Sequence, residues 1–148
     1  MKTVKTNREI IEMLVTEVFN RHSFKMLDQY MQDDYIQHNP DVPQGKSGFK
    51  DFFTNTFKSM PDFGYTIKHL VAEGDFVMLH AATTGTHTGP WINDTATGNK
   101  IDIDVVDIFR FKDGKIAEHW DVADTFNLFK QVGVIEKFLA TDKVQKSI

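Results

Sequence analysis

The chain has 148 residues, no cysteine, and 17 basic against 21 acidic residues, which gives a net charge of −4. This length suits one domain over residues 1–148, and the lack of thiols excludes disulfides, zinc–thiolate centres and a cysteine nucleophile. Both halves carry more acidic than basic residues. The charge therefore disfavours a nucleic-acid partner.

Hydropathy and the N-terminus predict a cytoplasmic protein without a membrane partner. No apolar run approaches the roughly 20 residues that a membrane span needs. Residues 1–5 lack the apolar segment of a signal peptide. The 13 phenylalanines instead indicate enough bulky apolar material for a packed core.

The first part of the chain predicts three helices. Thr6 and Glu9 have the spacing of a capping box. A second, short helix is predicted after Ser23, and a third starts near Ser47 and ends at Pro61. Their apolar residues recur at helical spacing. These stripes comprise Ile10, Ile11, Leu14, Val15, Val18 and Phe19, then Phe24, Leu27 and Met31, then Phe49, Phe52, Phe53, Phe57 and Met60.

The rest of the chain predicts an antiparallel meander closed by a helix. Residues 35–40 are predicted to be irregular, because Pro40 disfavours helical geometry before it. Asp124 caps a last helix, which Gly133 ends. Glycine, proline and asparagine predict a loop at 88–99. Alternation predicts strands over residues 65–72, 76–87, 101–111 and 115–123.

Helices followed by a meander predict an α+β fold. Both the helical stripes and one sheet face are buried if the N-terminal helices pack on the concave face of a curved antiparallel sheet. Such a cone encloses a cavity, which is where small ligands bind.

The hairpin at residues 113–114 decides which side chains share a face. A two-residue loop would turn Asp107 away from the apolar face. A three-residue loop with a glycine bulge would place Asp107 opposite His119 and Val105 opposite Asp121. We favour the three-residue loop because it gathers the apolar residues of both strands on one face.

In that register Asp107, His119 and Asp121 share an apolar, helix-covered face. Burial raises the pKa of a carboxyl group, which suits general acid–base chemistry near neutral pH. The alternative is a structural hydrogen bond between aspartate and histidine that only fixes the sheet. The opposite face is amphipathic and predicts a dimer interface. It carries Asp102, Asp104, Val106, Ile108, Arg110, Glu118, Trp120 and Val122.

At these residues the sequence resembles the SnoaL-like polyketide cyclases, also called predicted ester cyclases, of the nuclear-transport-factor-2-like (cystatin-like) superfamily. The resemblance spans residues 8–133 and rests on motifs in a characteristic order. They are Tyr35-Ile36-Gln37-His38-Asn39-Pro40, Ala72-Glu73-Gly74-Asp75, Gly85-Thr86-His87-Thr88-Gly89, Thr97-Gly98-Asn99-Lys100, Asp107-Ile108-Phe109-Arg110-Phe111, Asp113-Gly114-Lys115-Ile116-Ala117-Glu118-His119-Trp120-Asp121 and Gln131-Val132-Gly133.

The resemblance implies a cone with a long curved sheet whose mouth is closed by helices, often a homodimer, and an enzyme without a metal or organic cofactor. It implies that Asp121 is the acid and base for an intramolecular aldol ring closure. Asp107 matches the position where related isomerases place an acid that donates to an enolate oxygen. His119 would tune or replace Asp121 as the base.

Further candidates come from their places in the chain. His38 precedes Asn39 in the irregular stretch and would reach the mouth of the cone to orient a carbonyl, with Asn39 as a candidate substrate contact. The alternative is a local turn hydrogen bond by His38 or Asn39. His80 shares a strand face with apolar residues and is a candidate substrate contact. Trp91 is a candidate lid. Phe53 and Phe109 are expected to line the cavity as apolar substrate contacts.

Three functions remain open from sequence. The first is a cofactor-independent cyclase, lyase or isomerase that acts on a small hydrophobic carbonyl compound. The second is a non-catalytic protein that binds a small apolar ligand. The third is a metal enzyme that uses His38, His80 and His119 with a carboxylate, although no histidine pair has close ligand spacing.

Overall fold

A computed structural model describes residues 4–91 and 95–145 and confirms the α+β class. Residues 92–94 of the predicted 88–99 loop lie outside the described residues. The helices are α1 (Asn7–Leu14) with a π-helical continuation (Val15–Asn20), α2 (Leu27–Tyr30), α3 (Gly45–Ser59), α4 (Thr125–Val132) and α5 (Val134–Gln145). The strands are β1 (Met31–Gln37), β2 (Gly64–Glu73), β3 (Phe76–Thr86), β4 (Lys100–Lys112) and β5 (Lys115–Ala123).

The predicted helix caps are confirmed. The backbone N–H of Thr6 donates to the Glu9 carboxylate at 2.7 Å, and the Glu9 N–H donates to Thr6 Oγ1 at 3.2 Å. Asp124 caps α4 by accepting the N–H of Asn127, and Gly133 ends that helix at a φ of 86°. A residue in this left-handed region favours glycine, because glycine has no Cβ.

The five strands form one curved, open sheet in the order β1-β5-β4-β3-β2. Strands β2 to β5 are antiparallel neighbours, as predicted. Strand β1 was not predicted, since residues 35–40 were expected to be irregular and Met31 was assigned to a helix. It pairs with β5 in parallel, with a register shift between Met31 and Ile36. This irregularity breaks the alternation from which a strand is recognised.

The hairpin between β4 and β5 differs from the predicted three-residue loop. Lys112 pairs with Lys115 across a two-residue turn, in which Asp113 and Gly114 both have positive φ. That combination is typical of a type I′ turn. Phe111 pairs with Ile116, but the preceding residue of β4 pairs with Glu118. Ala117 therefore has no partner on β4 and forms a β-bulge.

The bulge adds one residue to β5, so the predicted distribution of side chains between the two faces of the sheet is still correct. Asp107 lies opposite Asp121, and Phe109 lies opposite His119, so the predicted pairs Asp107–His119 and Val105–Asp121 are wrong by two residues along β5. All three polar residues nevertheless lie on the same face of the sheet.

That inner face and the helices bury a common core. Phe19 of the π-helical segment stacks on Tyr65 of β2 and contacts Phe53 of α3. Phe49 of α3 packs edge-on against Tyr35 of β1. The apolar side chains of helices and sheet therefore enclose the polar residues of β4 and β5. Among residues 4–91 and 95–145, no helix is long and apolar enough to cross a membrane.

Candidate active site

A cavity of about 480 Å³ lies between the helices and the inner face of the sheet. Five of its polar side chains are linked by hydrogen bonds into one cluster, called here the polar end of the cavity, and aromatic rings form much of the wall. The polar end has Gln37, Asn39, Asp107, His119 and Asp121. The aromatic residues are Phe19, Phe49, Phe52, Phe53, Phe63, Tyr65, Trp91 and Phe129. No lysine or arginine is among the described residues that line it.

Asp107 and His119 form a buried pair on neighbouring strands. Their side chains are 3% and 7% exposed, and His119 Nε2 lies 2.8 Å from Asp107 Oδ1. Burial raises the pKa of Asp107, and the hydrogen bond and charge of His119 only partly oppose that shift. The second oxygen, Oδ2, is buried and has no hydrogen-bond partner among the described atoms.

Asp121 lies beside this pair at the same end of the cavity and is half-buried. Both of its carboxylate oxygens lie 2.9 Å from Nδ2 of Asn39, which donates to them. The Asn39 amide is oriented by its own loop, because its Oδ1 accepts the backbone N–H of Asp41 at 2.8 Å. The turn before Pro40 therefore presents an amide donor to the carboxylate on β5.

Gln37 is a cavity residue that was not predicted from sequence. Its Oε1 lies 3.1 Å from His119 Nδ1, so that His119 is held between Gln37 and Asp107. The missed strand β1 explains the omission: strand alternation places Gln37 on the buried face with Tyr35 and turns His38 outward.

The structure places two predicted site residues outside the cavity. His38 lies on the outer face, where it stacks on Trp120 at 4.3 Å between ring centroids and its Nε2 is 2.9 Å from Glu118. His80 also faces outward, with its ring nitrogens 3.0 Å from His69 and 3.2 Å from Asp104. A predicted role for His38 or His80 inside the cone is therefore wrong, because strand alternation turns both side chains away from it.

Some of the predicted substrate contacts line the cavity, and one lies behind the cavity wall. Phe53 and Trp91 line the cavity, as does Asn39. Phe109 is completely buried and does not line it; its ring stacks on His119 at 4.7 Å between ring centroids. Phe109 therefore supports His119 from behind and does not provide the expected substrate contact.

The three-histidine metal site is not assembled, since only His119 of the three lies in the cavity. Ligand atoms of Asp107, His119 and Asp121 do lie within 4.8 Å of one another. Both ring nitrogens of His119, however, are already at hydrogen-bond distance from oxygen atoms. A metal ion at Nε2 would have to displace the hydrogen bond to Asp107.

The sequence model of the SnoaL-like polyketide cyclases matches residues 9–132. The chain belongs to this family. Aklanonic acid methyl ester cyclase DauD of Streptomyces sp. (strain C5) is 25% identical over 113 residues, which cover 73% of this chain and 67% of DauD. Aklanonic acid methyl ester cyclase DnrD of Streptomyces peucetius is 26% identical over 106 residues, covering 71% and 72% of the two chains.

Solved structures show the same fold. TsrD from Streptomyces laurentii superposes with a TM-score of 0.77 at 27% identity, over 87% of this chain and 98% of TsrD. The SnoaL-like assignment therefore rests on both sequence and architecture. In this SnoaL-like chain the motif His119-Trp120-Asp121 presents two side chains to the cavity and one to the outer face.

We predict that Asp107 makes stability fall as pH rises. Its pKa is raised on folding, so the folded state binds a proton more tightly than the unfolded chain. The resulting stability is present below the unfolded pKa of about 3.9 and is lost as pH rises through the folded value. Asp107→Asn lacks this pH-dependent contribution to stability. Its free energy of unfolding should exceed that of the wild type by about 1–3 kcal/mol at alkaline pH.

Chemical denaturation of both proteins over a pH series measures this difference, in which the contributions of groups that are not coupled to Asp107 cancel. The advantage of Asp107→Asn should grow with pH. An advantage that stays constant or shrinks with pH contradicts the prediction.

Proposed function

We propose that this chain is a cofactor-independent cyclase that closes a ring by an intramolecular aldol reaction on a hydrophobic, polyketide-derived carbonyl compound. The observation that carries this proposal is the place of Asp121, a carboxylate held by an amide donor at the polar end of a largely apolar cavity. The cyclase names of its relatives DauD and DnrD support the reaction class.

In the proposed reaction Asp121 accepts the proton from a carbon next to a carbonyl group. The resulting enolate carbon attacks a second carbonyl of the same molecule and forms the new C–C bond. Asp121 then returns its proton to the alkoxide oxygen, so that the product is an isomer of the substrate. Asn39 positions Asp121 throughout, because it donates to both carboxylate oxygens.

The cavity supports this chemistry by its size and lining. A volume of about 480 Å³ lies within the range of small-molecule sites, roughly 300–1,000 Å³. The aromatic wall takes a flat, apolar molecule out of water, which excludes water from the reacting groups. The absence of lysine and arginine from the described lining residues disfavours ligands that carry a free carboxylate.

The test is to incubate the purified protein with aklanonic acid methyl ester, the compound in the names of the two relatives. We expect an isomeric product with a new ring and an unchanged mass, identified by chromatography, mass spectrometry and NMR. Heat-denatured protein is the control. A bound but chemically unchanged ligand, found across a panel of polyketide methyl esters, would instead establish a binding protein.

We further propose that the outer face of the sheet joins two copies of the chain. It exposes large apolar side chains, including Val122 at 71%, Val71 at 60% and Met78 at 50%. Its charged groups largely pair within the face, as Arg110 does with Glu118. A second copy packed on this face would therefore bury apolar surface without bringing unpaired charges of the same sign together.

Val122→Lys is expected to convert the dimer into a monomer, because it would bury an unpaired charge in the contact. Sedimentation equilibrium measures the change in mass. Val4→Lys is the matched control, because Val4 lies near the N-terminus and is 90% exposed. It should leave the mass unchanged. A monomeric wild type, or a dimer that tolerates Val122→Lys, overturns the proposed interface.

A further inference from the structure

The side-chain amide of Gln37 can be oriented without ambiguity. Its Oε1 accepts the backbone N–H of Asn39 at 2.9 Å, and a backbone N–H can only donate. Its Nε2 donates to the Tyr35 hydroxyl at 3.0 Å. The atom that faces His119 Nδ1 at 3.1 Å is therefore the carbonyl oxygen of the amide.

This orientation determines which ring nitrogen of His119 carries a proton. Nδ1 faces an acceptor and must be the donor. In a neutral imidazole the other nitrogen, Nε2, then has only a lone pair. Nε2 lies 2.8 Å from Asp107 Oδ1, a distance that is favourable only if a proton lies between the two atoms.

The Asp107–His119 pair therefore holds one proton between Nε2 and Oδ1. The pair is either a carboxylic acid that donates to a neutral imidazole or a carboxylate that accepts from an imidazolium. Both forms have no net charge. Loss of that proton would leave two lone pairs facing each other and a buried, unpaired carboxylate, which is costly. The two groups are thus coupled through this shared proton.

The titratable groups around the pair do not remove the need for a proton between Nε2 and Oδ1. Asp121 of β5 lies across from Asp107, and its negative charge raises the pKa of Asp107. Burial, together with the charge of Asp107, raises the pKa of the hydroxyls of Tyr35 on β1 and Tyr65 on β2, so that both stay neutral. Asp41 is the remaining titratable residue among the described residues that line the cavity.

We infer that Gln37 is a positioning residue that locks the Asp107–His119 pair with one shared proton, so that Asp107 Oδ2 is presented as a hydrogen-bond acceptor to a ligand hydroxyl. Oδ2 is an acceptor in both forms of the pair, and it is buried in the cavity wall without a partner. The ligand therefore carries an enol or phenol O–H at this end. The inference rests on the proposed function only in identifying that ligand with the substrate.

The inference assigns Asp107 a different role from an acid that donates to an enolate oxygen. Donation from Oδ2 would need a second proton on the pair. Asparagine at position 107 would reproduce the singly protonated pair, since its amide nitrogen can donate to Nε2 while its oxygen faces the cavity. Leucine at that position would remove the acceptor.

The tautomer of His119 can be measured directly by ¹⁵N NMR over a pH series around the ordinary histidine pKa of about 6.5. We expect the proton to stay on Nδ1 in the wild type and in Gln37→Glu, which keeps an acceptor oxygen. In Gln37→Met the ring should protonate at Nε2 when neutral. Gln29→Met, at an exposed position of α2, is the matched control. A neutral wild-type His119 that is protonated at Nε2 overturns the proposal.

Ligand preference is measured by calorimetry with 2-naphthol and 2-methoxynaphthalene, which differ in the hydroxyl donor. The wild type and Asp107→Asn should bind the naphthol about tenfold or more tightly than the ether. Asp107→Leu should show no preference. Equal affinities in the wild type, including no binding of either probe, overturn the ligand assignment. None of these readouts uses turnover, so failure of the proposed cyclisation would be seen separately.

Discussion

Asp121→Asn is expected to lower kcat for ring closure by a factor of about 10² to 10⁴, the usual contribution of a general base. Asparagine has the same shape and keeps an oxygen that can accept from Asn39. It cannot, however, take a proton from carbon at neutral pH. Substrate affinity should therefore change much less than kcat. Steady-state kinetics with aklanonic acid methyl ester, combined with calorimetric binding, measures both quantities.

Asp102→Asn is the matched control, because Asp102 lies on the exposed face of β4 and its side chain does not line the cavity. That variant should retain full activity. Unchanged kcat in Asp121→Asn would show that another group removes the proton. In that case the cavity would still bind the ligand, but Asp121 would only contribute to its orientation.

Gly48→Ala is expected to destabilise the fold by about 3 kcal/mol or more, although alanine is the better helix former by about 1 kcal/mol. A Cβ at this buried position of α3 would lie 2.3 Å from the carbonyl oxygen of Pro43. Because that atom belongs to the backbone, no side-chain rotation relieves the contact. Thermal and chemical denaturation measure the loss.

Ser47→Ala tests the same helix one position earlier, on its exposed side. Helix propensity predicts a small gain in stability there, with no steric penalty. If Gly48→Ala were as stable as the wild type, the approach of α3 to the loop at Pro43 would be looser than the contact distances indicate. The substrate cavity would also be affected, since Phe49 lines it from the same turn of helix.

Local signals in the sequence predicted much of the fold. The capping box, the helical stripes and the Asp113-Gly114 turn each depend on residues close together in the chain. The shared face of Asp107, His119 and Asp121 was also predicted, but from the wrong loop. The turn has two residues, and the bulge at Ala117 supplies the shift. Alanine is not a residue whose side chain indicates a bulge, so sequence patterns alone do not reveal it.

Strand β1 accounts for the other errors. Its pairing with β5 is parallel and joins segments about eighty residues apart, and its alternation is interrupted before Ile36. Because that strand was not predicted, Gln37 was not assigned to a face of the sheet, and His38 was assigned to the cavity although it lies on the outer face. The role of Gln37 depends on a backbone N–H two residues later and on a histidine of another strand, which only the folded chain brings together.

The bulge at Ala117 has a consequence for how this protein can change over evolution. Strand β5 carries two sets of side chains, one with His119 and Asp121 and one with Glu118 and Trp120. Point substitutions alter the members of a set but leave the set that faces the ligand unchanged. Deletion of the codon for Ala117 would remove the bulge but leave both sets on their present faces, because Glu118 would then follow Ile116 directly and still pair with Arg110. The bulge thus allows this strand to lose one residue without changing which side chains face the ligand.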